Sequence, residues 1–379
     1  MLLPQQGHTK ASQPDRPHAP DNTRPPITLV IHGGAGNASP SSRDEAAYRQ
    51  GMRLALAKGY AVLERGGSAL DAVTAAVSAM EDDENFNAGR GAVFNAHGNI
   101  EMEASSELSI LPLPSQSIPP HRRCMSATLL RHARNPIQLV RALYLNPAQV
   151  PHPYLSSSEA EVLGFKLHGS RPAPLSYFWT RRRWLEHRRG LGLSDDLSYL
   201  AEHQQETDED DFDPASLPQG TVGAVALDSH GTVACATSTG GKTNKMQGRI
   251  GDTPTPGAGF WAEEWAPSPT PTLVSSNGTL QRRRGLAVSG TGDGDYFLRI
   301  SAASHLAHRA QFLNEPLSVA TRKTVDALGD VGGVGGFIGV DTDGTIAFAL
   351  NSTTMNRAYM SSVDGAVPKT AIWADDDWE

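Results

Sequence analysis

Hydrophobic and polar positions along the chain predict a polar tail, a helical first part and a strand-rich second part. Residues 1–26 are rich in Pro, Gln and Asp and show no apolar period, so we expect a disordered tail. Residues 27–31 form a β-branched run typical of a strand, which ends in a glycine-rich loop at 32–37. Ordered structure is therefore expected to begin near residue 27.

Two helices are predicted after this strand. Ser42 and Glu45 have the spacing of a capping box, and Gly66-Gly67 provides a helix stop. The second helix should begin at Ser68. Its apolar residues recur at the helical period, and they are Leu70, Val73, Val77 and Met80. Further helices are predicted at 136–145 and 178–190, where the basic run 181–183 is interpreted as a solvated face.

The second half begins after an acidic, proline-containing segment at 205–219, which is typical of a mobile linker. Residues 221–228 then form a strand that is apolar on both faces, 229–231 turn the chain, and 232–237 return. A similar Asp-Thr-x-Gly-Thr pattern recurs at 341–345. If Asp228 pairs with Gly231, Thr221 lies opposite Ser238. Antiparallel hairpins with separate helices indicate the α+β class, and we expect one domain over 27–379.

Composition narrows the function and the compartment. A net charge of −8 and a pI near 5.9 argue against nucleic acid and anionic membranes as partners. The chain has neither a signal-peptide pattern at its start nor an apolar run of about 18 residues. Cys124 and Cys235 are too few for a disulfide framework or a multi-thiolate zinc site. We therefore expect a cytoplasmic protein without a catalytic metal.

Common nucleotide and hydrolase motifs do not fit this chain. Residues 241–243 resemble the end of a phosphate-binding loop, but Ala236 stands where that loop needs glycine. The glycines at 290–294 and 332–339 do not join a strand to a helix in a clear dinucleotide-binding unit. A Gly-x-Ser-x-Gly elbow and a His-Glu-x-x-His motif are both missing from the sequence.

Thr221 offers a different route to a nucleophile. It lies between the linker and an apolar strand and follows Gly220, so cleavage there would free its α-amine. Such an amine has a pKa of about 7.7–8 and can serve as general base for the hydroxyl of its own residue. The alternative is that Thr221 merely begins a strand, and the spacing alone favours that alternative.

Later residues supply possible partners for this nucleophile. The loop 289–294 combines backbone amides with hydroxyls and could form an oxyanion hole. Arg249 and Asp252 could hold a zwitterion through its carboxylate and its ammonium group. They could equally form a surface ion pair of little energetic value.

Six ordered segments resemble the plant-type asparaginase/isoaspartyl aminopeptidase family of N-terminal-nucleophile hydrolases. They are His32-Gly33-Gly34-Ala35-Gly36-Asn37, Gly67 to Val73, Phe86-Asn87-Ala88-Gly89 with Gly91, Gly220 to Asp228, Thr237-Ser238-Thr239-Gly240-Gly241, and Asn244 to Asp252. With weaker flanking similarity, the resemblance covers roughly half to two thirds of the chain.

This resemblance implies a four-layer αββα sandwich and autocleavage between Gly220 and Thr221, giving chains 1–220 and 221–379. It assigns the nucleophile to Thr221, support of its hydroxyl to Thr239, and the oxyanion hole to Thr291 and the Gly292 amide. Arg249 would bind the substrate α-carboxylate, and Asp252 with the Gly294 carbonyl would bind the α-ammonium. The implied substrates are L-asparagine and β-aspartyl peptides, and the implied assembly is a dimer of processed heterodimers.

The chain departs from the family pattern in several places. The first glycine/asparagine loop continues as residues 101–107 without the usual Met-Asp-Gly, in a region that holds a structural sodium in relatives. Sodium is therefore left open, and no other cofactor is expected. Insertions at 145–219 and 265–284 could narrow the pocket or change the substrate, and Asp295 replaces a glutamate. The alternatives are a threonine aspartase-like protease, a glycosylasparaginase-like amidase and a non-catalytic binding homologue.

Overall fold

A computed structural model describes residues 25–37, 44–109, 118–194, 220–266 and 284–379. The strands are β1 Thr28–Gly36, β2 Met102–Leu108, β3 Cys124–Leu130, β4 Tyr154–Ser156, β5 Val222–Leu227, β6 Val233–Thr239, β7 Phe260–Trp265, β8 Arg284–Gly292, β9 Gly335–Asp341, β10 Ile346–Leu350, β11 Thr354–Ser361 and β12 Lys369–Trp373. The helices are α1 Glu45–Glu64, α2 Ala69–Glu81, α3 Pro136–Tyr144, α4 Ser157–Lys166, α5 Leu175–Phe178, α6 Arg181–Gly190, α7 Gly294–Ile300, α8 Ala302–Phe312 and α9 Leu317–Asp330.

These elements form four layers. The large sheet has the strand order β12-β11-β1-β5-β6-β2-β3-β4, and the small sheet has the order β10-β9-β8-β7. Helices α1, α2 and α3 cover the outer face of the large sheet, and α8 and α9 cover the small sheet. The sheets face each other through β1, β5 and β6 on one side and β7, β8 and β9 on the other. The predicted αββα sandwich of the α+β class is thus confirmed.

Apolar side chains fill each space between these layers. The largest cluster lies between the large sheet and its helices and includes Met52, Val73 and Ile31. A second cluster, with Val225 and Ile338, lies between the sheets, and a third, with Phe297 and Phe337, lies beneath α8 and α9. Strand β5 contributes to both faces of the large sheet, which explains why its sequence is apolar throughout.

Helix starts follow the expected capping chemistry, with one correction. The Ser68 side chain accepts a hydrogen bond from the Asp71 amide and begins α2, as predicted. Helix α1 instead begins after Asp44, whose carboxylate accepts from the Ala47 amide. Asp44 already satisfies a free amide of the first turn, so Glu45 is the first helical residue and not the third position of a capping box. Ser42 lies outside the described residues.

Both predicted hairpins exist, and residues 229–231 form the first turn as predicted, but the assumed pairing of Asp228 with Gly231 is wrong. Asp228 pairs with Thr232, because the Asp228 amide donates to the Thr232 carbonyl at 3.0 Å. The Asp228 carboxylate accepts from the His230 and Thr232 amides, and Gly231 is left-handed at φ +82°. Three residues therefore form the turn, and the predicted pairing of Thr221 with Ser238 is wrong by one residue.

The basic run of α6 is a solvated face only in part, because Arg182 is exposed and Arg181 is half-buried, whereas Arg183 contradicts the prediction. The Arg183 side chain is buried, and its Nε donates to the Gly91 carbonyl at 2.7 Å while Nη1 pairs with Glu186 at 2.9 Å. The interpretation failed because Arg183 finds carbonyl acceptors on a loop far away in the sequence, which offsets the cost of burying its charge. Part of the predicted 145–219 insertion thus packs against the glycine loop before Ala92.

Some predictions fall on residues that the structure does not describe. The tail prediction lies outside the described residues except at Pro25 and Pro26, which lie near the positions that a Cβ would take on Gly231 and Gly344. The predicted linker at 205–219 and nearly all of the 265–284 insertion also lie outside them. Within the described ranges, no helix is long and apolar enough to cross a membrane.

Candidate active site

Thr221 lies at the entry to β5, in the space between the two sheets, and its side chain is buried. Its backbone nitrogen donates to Thr291 Oγ1 at 3.0 Å, and its hydroxyl lies 3.2 Å from Thr253 Oγ1. The chain is continuous from Gly220, so this nitrogen is a peptide N–H that stands for the α-amine of a cleaved protein. The backbone nitrogen and the hydroxyl of Thr221 are therefore both held by threonine hydroxyls.

The peptide bond before Thr221 is packed closely against Gly34, which lies at an irregularity of β1 between His32 and Ala35. A Cβ built on Gly220 would lie 2.7 Å from the Gly34 Cα, closer than carbon atoms pack. Gly34 has φ +108° and would meet the Gly220 Cα in the same way. Only glycine fits at both positions, and this explains why a glycine-rich loop and the Gly220–Thr221 bond occur together.

Thr239 lies across the ladder from Thr221. Strands β5 and β6 pair Val222 with Ser238, so the next pair outward is Thr221 with Thr239. The Thr239 hydroxyl accepts from the Gly241 amide at 2.9 Å. Ser238 instead donates to the buried Glu81 carboxyl, beneath α2. The corrected register thus places Ser238 on the side of α2, and an extension of the ladder by one pair places Thr239 opposite Thr221.

Thr291 and Gly292 end β8 on the side facing Thr221. The Thr291 hydroxyl accepts from the Thr221 nitrogen and from the Ala35 amide, at 3.0 and 3.2 Å. Both contacts use oxygen lone pairs, which leaves the hydroxyl proton for another acceptor. Gly292 is held opposite Gly335 of β9. The structure therefore brings the predicted oxyanion residues to Thr221.

His32 joins Thr221 to Ser289 of β8. Its Nδ1 lies 2.9 Å from the Thr221 carbonyl, and its Nε2 lies 2.8 Å from Ser289 Oγ. Complete burial lowers the pKa of His32 to about 3, so the ring is neutral at physiological pH. A carbonyl only accepts, so Nδ1 carries the proton and Nε2 accepts from Ser289. The predicted loop at 32–37 is thus wrong at His32, because β1 continues through this residue to Gly36.

Arg249, Asp252 and Gly294 lie together at one edge of the site. Asp252 is fully buried, and burial raises its pKa to about 7 although the Arg249 charge opposes this shift. Gly294 lies so close to Asp252 that a Cβ there would overlap the carboxylate. The interpretation as a surface ion pair is thus wrong, since Asp252 is buried and only 16% of the Arg249 side chain is exposed.

Two further residues of the site were assigned no role from the sequence. Thr253 contacts the Thr221 hydroxyl and follows Asp252 directly, so its position could have been inferred only from neighbouring residues. Asp295 forms an ion pair with Arg249, whose Nη2 lies 2.7 Å from Asp295 Oδ1. Sequence reasoning noted Asp295 as a departure from a pattern and assigned no partner to it.

Comparisons with known proteins agree with this geometry. A family model described as asparaginase matches residues 25–367. The isoaspartyl peptidase/L-asparaginase of Xenopus laevis is 34% identical over 328 residues, which cover 85% of this chain and 89% of that protein. The isoaspartyl peptidase of Escherichia coli K12 is 32% identical over 355 residues, which cover 92% of this chain and 96% of that protein. Together with the αββα layers and the threonine cluster, these matches show that the chain belongs to the asparaginase family whose relatives include the isoaspartyl peptidases.

Proposed function

We propose that the protein cleaves its own Gly220–Thr221 bond and then hydrolyses the side-chain amide of L-asparagine or of β-aspartyl peptides. The observation that carries the proposal is the environment of Thr221, whose nitrogen and hydroxyl are held by Thr291 and Thr253. The names of the relatives, isoaspartyl peptidase and L-asparaginase, support the same substrates.

In the proposed cleavage, Thr221 Oγ attacks the Gly220 carbonyl carbon. A C–O ester bond forms as the C–N peptide bond breaks, and the hydroxyl proton passes to the Thr221 nitrogen. Water then opens the ester, which leaves a Gly220 carboxylate and restores the Thr221 hydroxyl. Close packing of Gly220 on Gly34 supports this step because it fixes the scissile bond relative to the hydroxyl.

In the proposed turnover, the freed Thr221 amine accepts the proton of its own hydroxyl as Oγ attacks the substrate amide carbon. The amine then passes that proton to the leaving ammonia or amino group. Thr291 and the Gly292 amide would donate to the developing oxyanion, while Thr239 and Thr253 would hold the hydroxyl. Water releases the acyl group from Thr221 and completes the cycle, so the chain supplies each proton transfer itself.

The charges around Thr221 support a substrate with a free α-amino acid end. Arg249 would bind the α-carboxylate in a bidentate pair, and Asp252 with the Gly294 carbonyl would bind the α-ammonium. L-Asparagine and a β-aspartyl peptide share this end and differ only in the group that leaves. One site could therefore accept both.

Intact-mass analysis of the wild type and Thr221→Ala provides the test. We expect the wild type to give two fragments split before Thr221 and to hydrolyse L-asparagine and a β-aspartyl dipeptide. The variant should stay one inactive chain because it lacks the attacking oxygen. Thr324→Ala is a matched control, since Thr324 is also buried but donates only to the Ala320 carbonyl of its own helix. A wild type that stays intact, or a variant that still cleaves, would refute the mechanism.

We propose that the Glu101 carbonyl does not hold a structural sodium in this protein. The Lys245 ammonium already donates to the Glu101 and Gly240 carbonyls, so a positive charge is present there without a metal ion.

We also propose a dimer of processed heterodimers in the cytoplasm. The family resemblance supports the assembly, which light scattering of the cleaved protein would test. The compartment is supported by Cys124 and Cys235, which are both free thiols, as expected in a reducing environment.

A further inference from the structure

A buried carboxylate on β2 lies next to the strand that carries Thr239. Glu103 pairs with Thr239 between β2 and β6, and the extended ladder places Thr239 opposite Thr221. Directly opposed residues point to the same face of a sheet, so Glu103 and Thr239 share one face. Glu103 is 1% exposed, and its Oε1 accepts from the Thr128 hydroxyl of β3 at 3.1 Å. This carboxylate takes no part in the proposed proton transfers.

The Glu103 carboxylate holds the turn between Arg249 and Asp252. The Gly251 amide donates to both of its oxygens, at 3.0 and 3.2 Å. The Gly251 carbonyl in turn accepts from Thr255 Oγ1 at 2.9 Å. Because Gly251 is buried and both polar groups of its backbone are bonded, its position in the turn is fixed.

Gly251 also lies between the Arg249 guanidinium and the Glu103 carboxylate. A Cβ on Gly251 would lie 2.9 Å from Arg249 Nη1 and 3.2 Å from Glu103 Oε2. Asp295 accepts from Nε and Nη2 of the same guanidinium, which leaves the edge formed by Nη1 and Nη2 for a substrate carboxylate. Gly251 directly precedes Asp252, so a shift of its peptide group would move Asp252 relative to Arg249.

We propose that Glu103 is a positioning residue that fixes the distance between Arg249 and Asp252 through the Gly251 amide. The inference rests on the proposed function, because it uses the assignment of Arg249 and Asp252 to the two charged groups of the substrate. An α-amino acid carries its carboxylate and its ammonium on one carbon atom, so the two groups have a fixed separation. Partners held at a matching distance bind both groups at once. Glu103 therefore favours a free α-amino acid end over ligands that carry only one of these charges.

Shortening Glu103 by one methylene group tests this role with L-asparagine as substrate. Glu103→Asp withdraws the carboxylate from the Gly251 amide, so KM should rise about tenfold while kcat changes less than about threefold. The preference for L-aspartate over succinate as competitive inhibitor should fall in this variant, because succinate has no ammonium group. Glu103→Gln should keep KM within about threefold of the wild type, because its amide oxygen can accept from both Gly251 and Thr128.

Glu161→Asp is the matched control. Glu161 is also a buried carboxylate, and it accepts from the backbone amides of residues 131–133, just after β3. Its shortening removes comparable hydrogen bonds, so it should lower the free energy of unfolding but change KM less than about twofold. Intact mass should show complete cleavage before Thr221 in each variant, since Arg249 takes no part in that step. A tenfold rise in KM in Glu161→Asp would overturn the inference, because any loosening of the fold would then give the effect.

Three further outcomes would overturn the positioning role. The first is an unchanged KM, or an unchanged preference for L-aspartate, in Glu103→Asp. The second is an equal rise in KM in Glu103→Gln, which would mean that the charge of Glu103 matters and its contact with Gly251 does not. The third is a failure of Glu103→Asp to cleave, which would mean that Glu103 acts on the surroundings of Thr221. A failure of the proposed function is distinguishable, because the wild type would then hydrolyse neither L-asparagine nor a β-aspartyl dipeptide.

Discussion

The two Asp-x-x-Gly-Thr hairpins share one turn but lie in different environments. At both turns the Asp carboxylate accepts two backbone amides and the glycine is left-handed, with φ +82° at Gly231 and +84° at Gly344. The first hairpin, β5–β6, lies in the middle of the eight-stranded sheet. The second, β9–β10, ends at an edge of the four-stranded sheet, and β10 alternates between buried and partly exposed residues.

The difference shows that a turn motif determines pairing, whereas the surrounding layers determine chemistry. Counted from the turn, the positions of Thr221 and Thr239 correspond to Val334 and Ser352 in the second hairpin. The Ser352 hydroxyl donates to the nearby Thr354 carbonyl at 2.9 Å, where no nucleophile faces it. The same turn motif therefore leads to the proposed site in the first hairpin only, because strands β5 and β6 there face β8 of the other sheet.

The largest expected contrast is between Thr239→Ala and Ser352→Ala. Loss of the Thr239 hydroxyl should lower kcat on the order of 10²-fold, because a preorganised hydroxyl beside the nucleophile is removed. Ser352→Ala should change kcat less than about twofold, as its hydroxyl contacts only its own loop. Steady-state kinetics with L-asparagine, on protein whose cleavage is verified by mass, would measure both. Equal losses would show that hairpin position alone decides the effect.

A smaller contrast is expected between Asp228→Ala and Asp341→Ala. Asp228 is fully buried and also accepts from the Ala69 amide at the start of α2, so its loss leaves three amides without their acceptor. We expect a loss of about 2–3 kcal/mol in the free energy of unfolding for Asp228→Ala and about 1 kcal/mol for Asp341→Ala. Urea denaturation in the Thr221→Ala background keeps a single chain and measures both. The reverse ranking would contradict the proposed importance of burial.

The smallest contrast concerns the turn glycines, and here the second hairpin should be more sensitive. Alanine in a left-handed conformation costs about 1 kcal/mol at either position. At Gly344 a Cβ would also lie 2.5 Å from Pro26 Cγ, whereas at Gly231 the nearest atom, Pro25 Cγ, is 3.5 Å away. Gly344→Ala should therefore lower the free energy of unfolding by roughly 1 kcal/mol more than Gly231→Ala. Urea denaturation in the Thr221→Ala background would measure both losses. Equal losses would show that the chain before Ile27 moves away without cost.

Local patterns predicted much of the fold because they depend on nearby residues. Ser68 begins α2 and both Asp-x-x-Gly-Thr turns form, since each satisfies amides within a few residues. The register of β5–β6 was missed by one residue because the pattern does not say whether Gly231 ends the turn or lies inside it. The burial of Arg183 was missed because its acceptor, the Gly91 carbonyl, is 92 residues away.

The sequence predicted which residues belong to the candidate site, but it did not predict the contacts between them. The family resemblance named Thr239, Thr291 and Arg249, and the structure brings them to Thr221 or to the edge of its site. The contacts of Thr253 with the hydroxyl and of His32 with the carbonyl depend on packing between the sheets. The present partner of Arg249 is Asp295, which a list of substrate-binding residues cannot reveal.

The contacts of Thr221 also impose an order on biosynthesis. Its nitrogen is held by a hydroxyl 70 residues further along the chain, on a strand that itself pairs with β9. A growing chain that has just exposed Thr221 therefore lacks the groups that the proposed cleavage needs. Self-activation would begin only after most of the second half has left the ribosome and folded. Cleavage would then depend on complete folding, so truncated or misfolded copies of the protein would remain uncleaved and inactive.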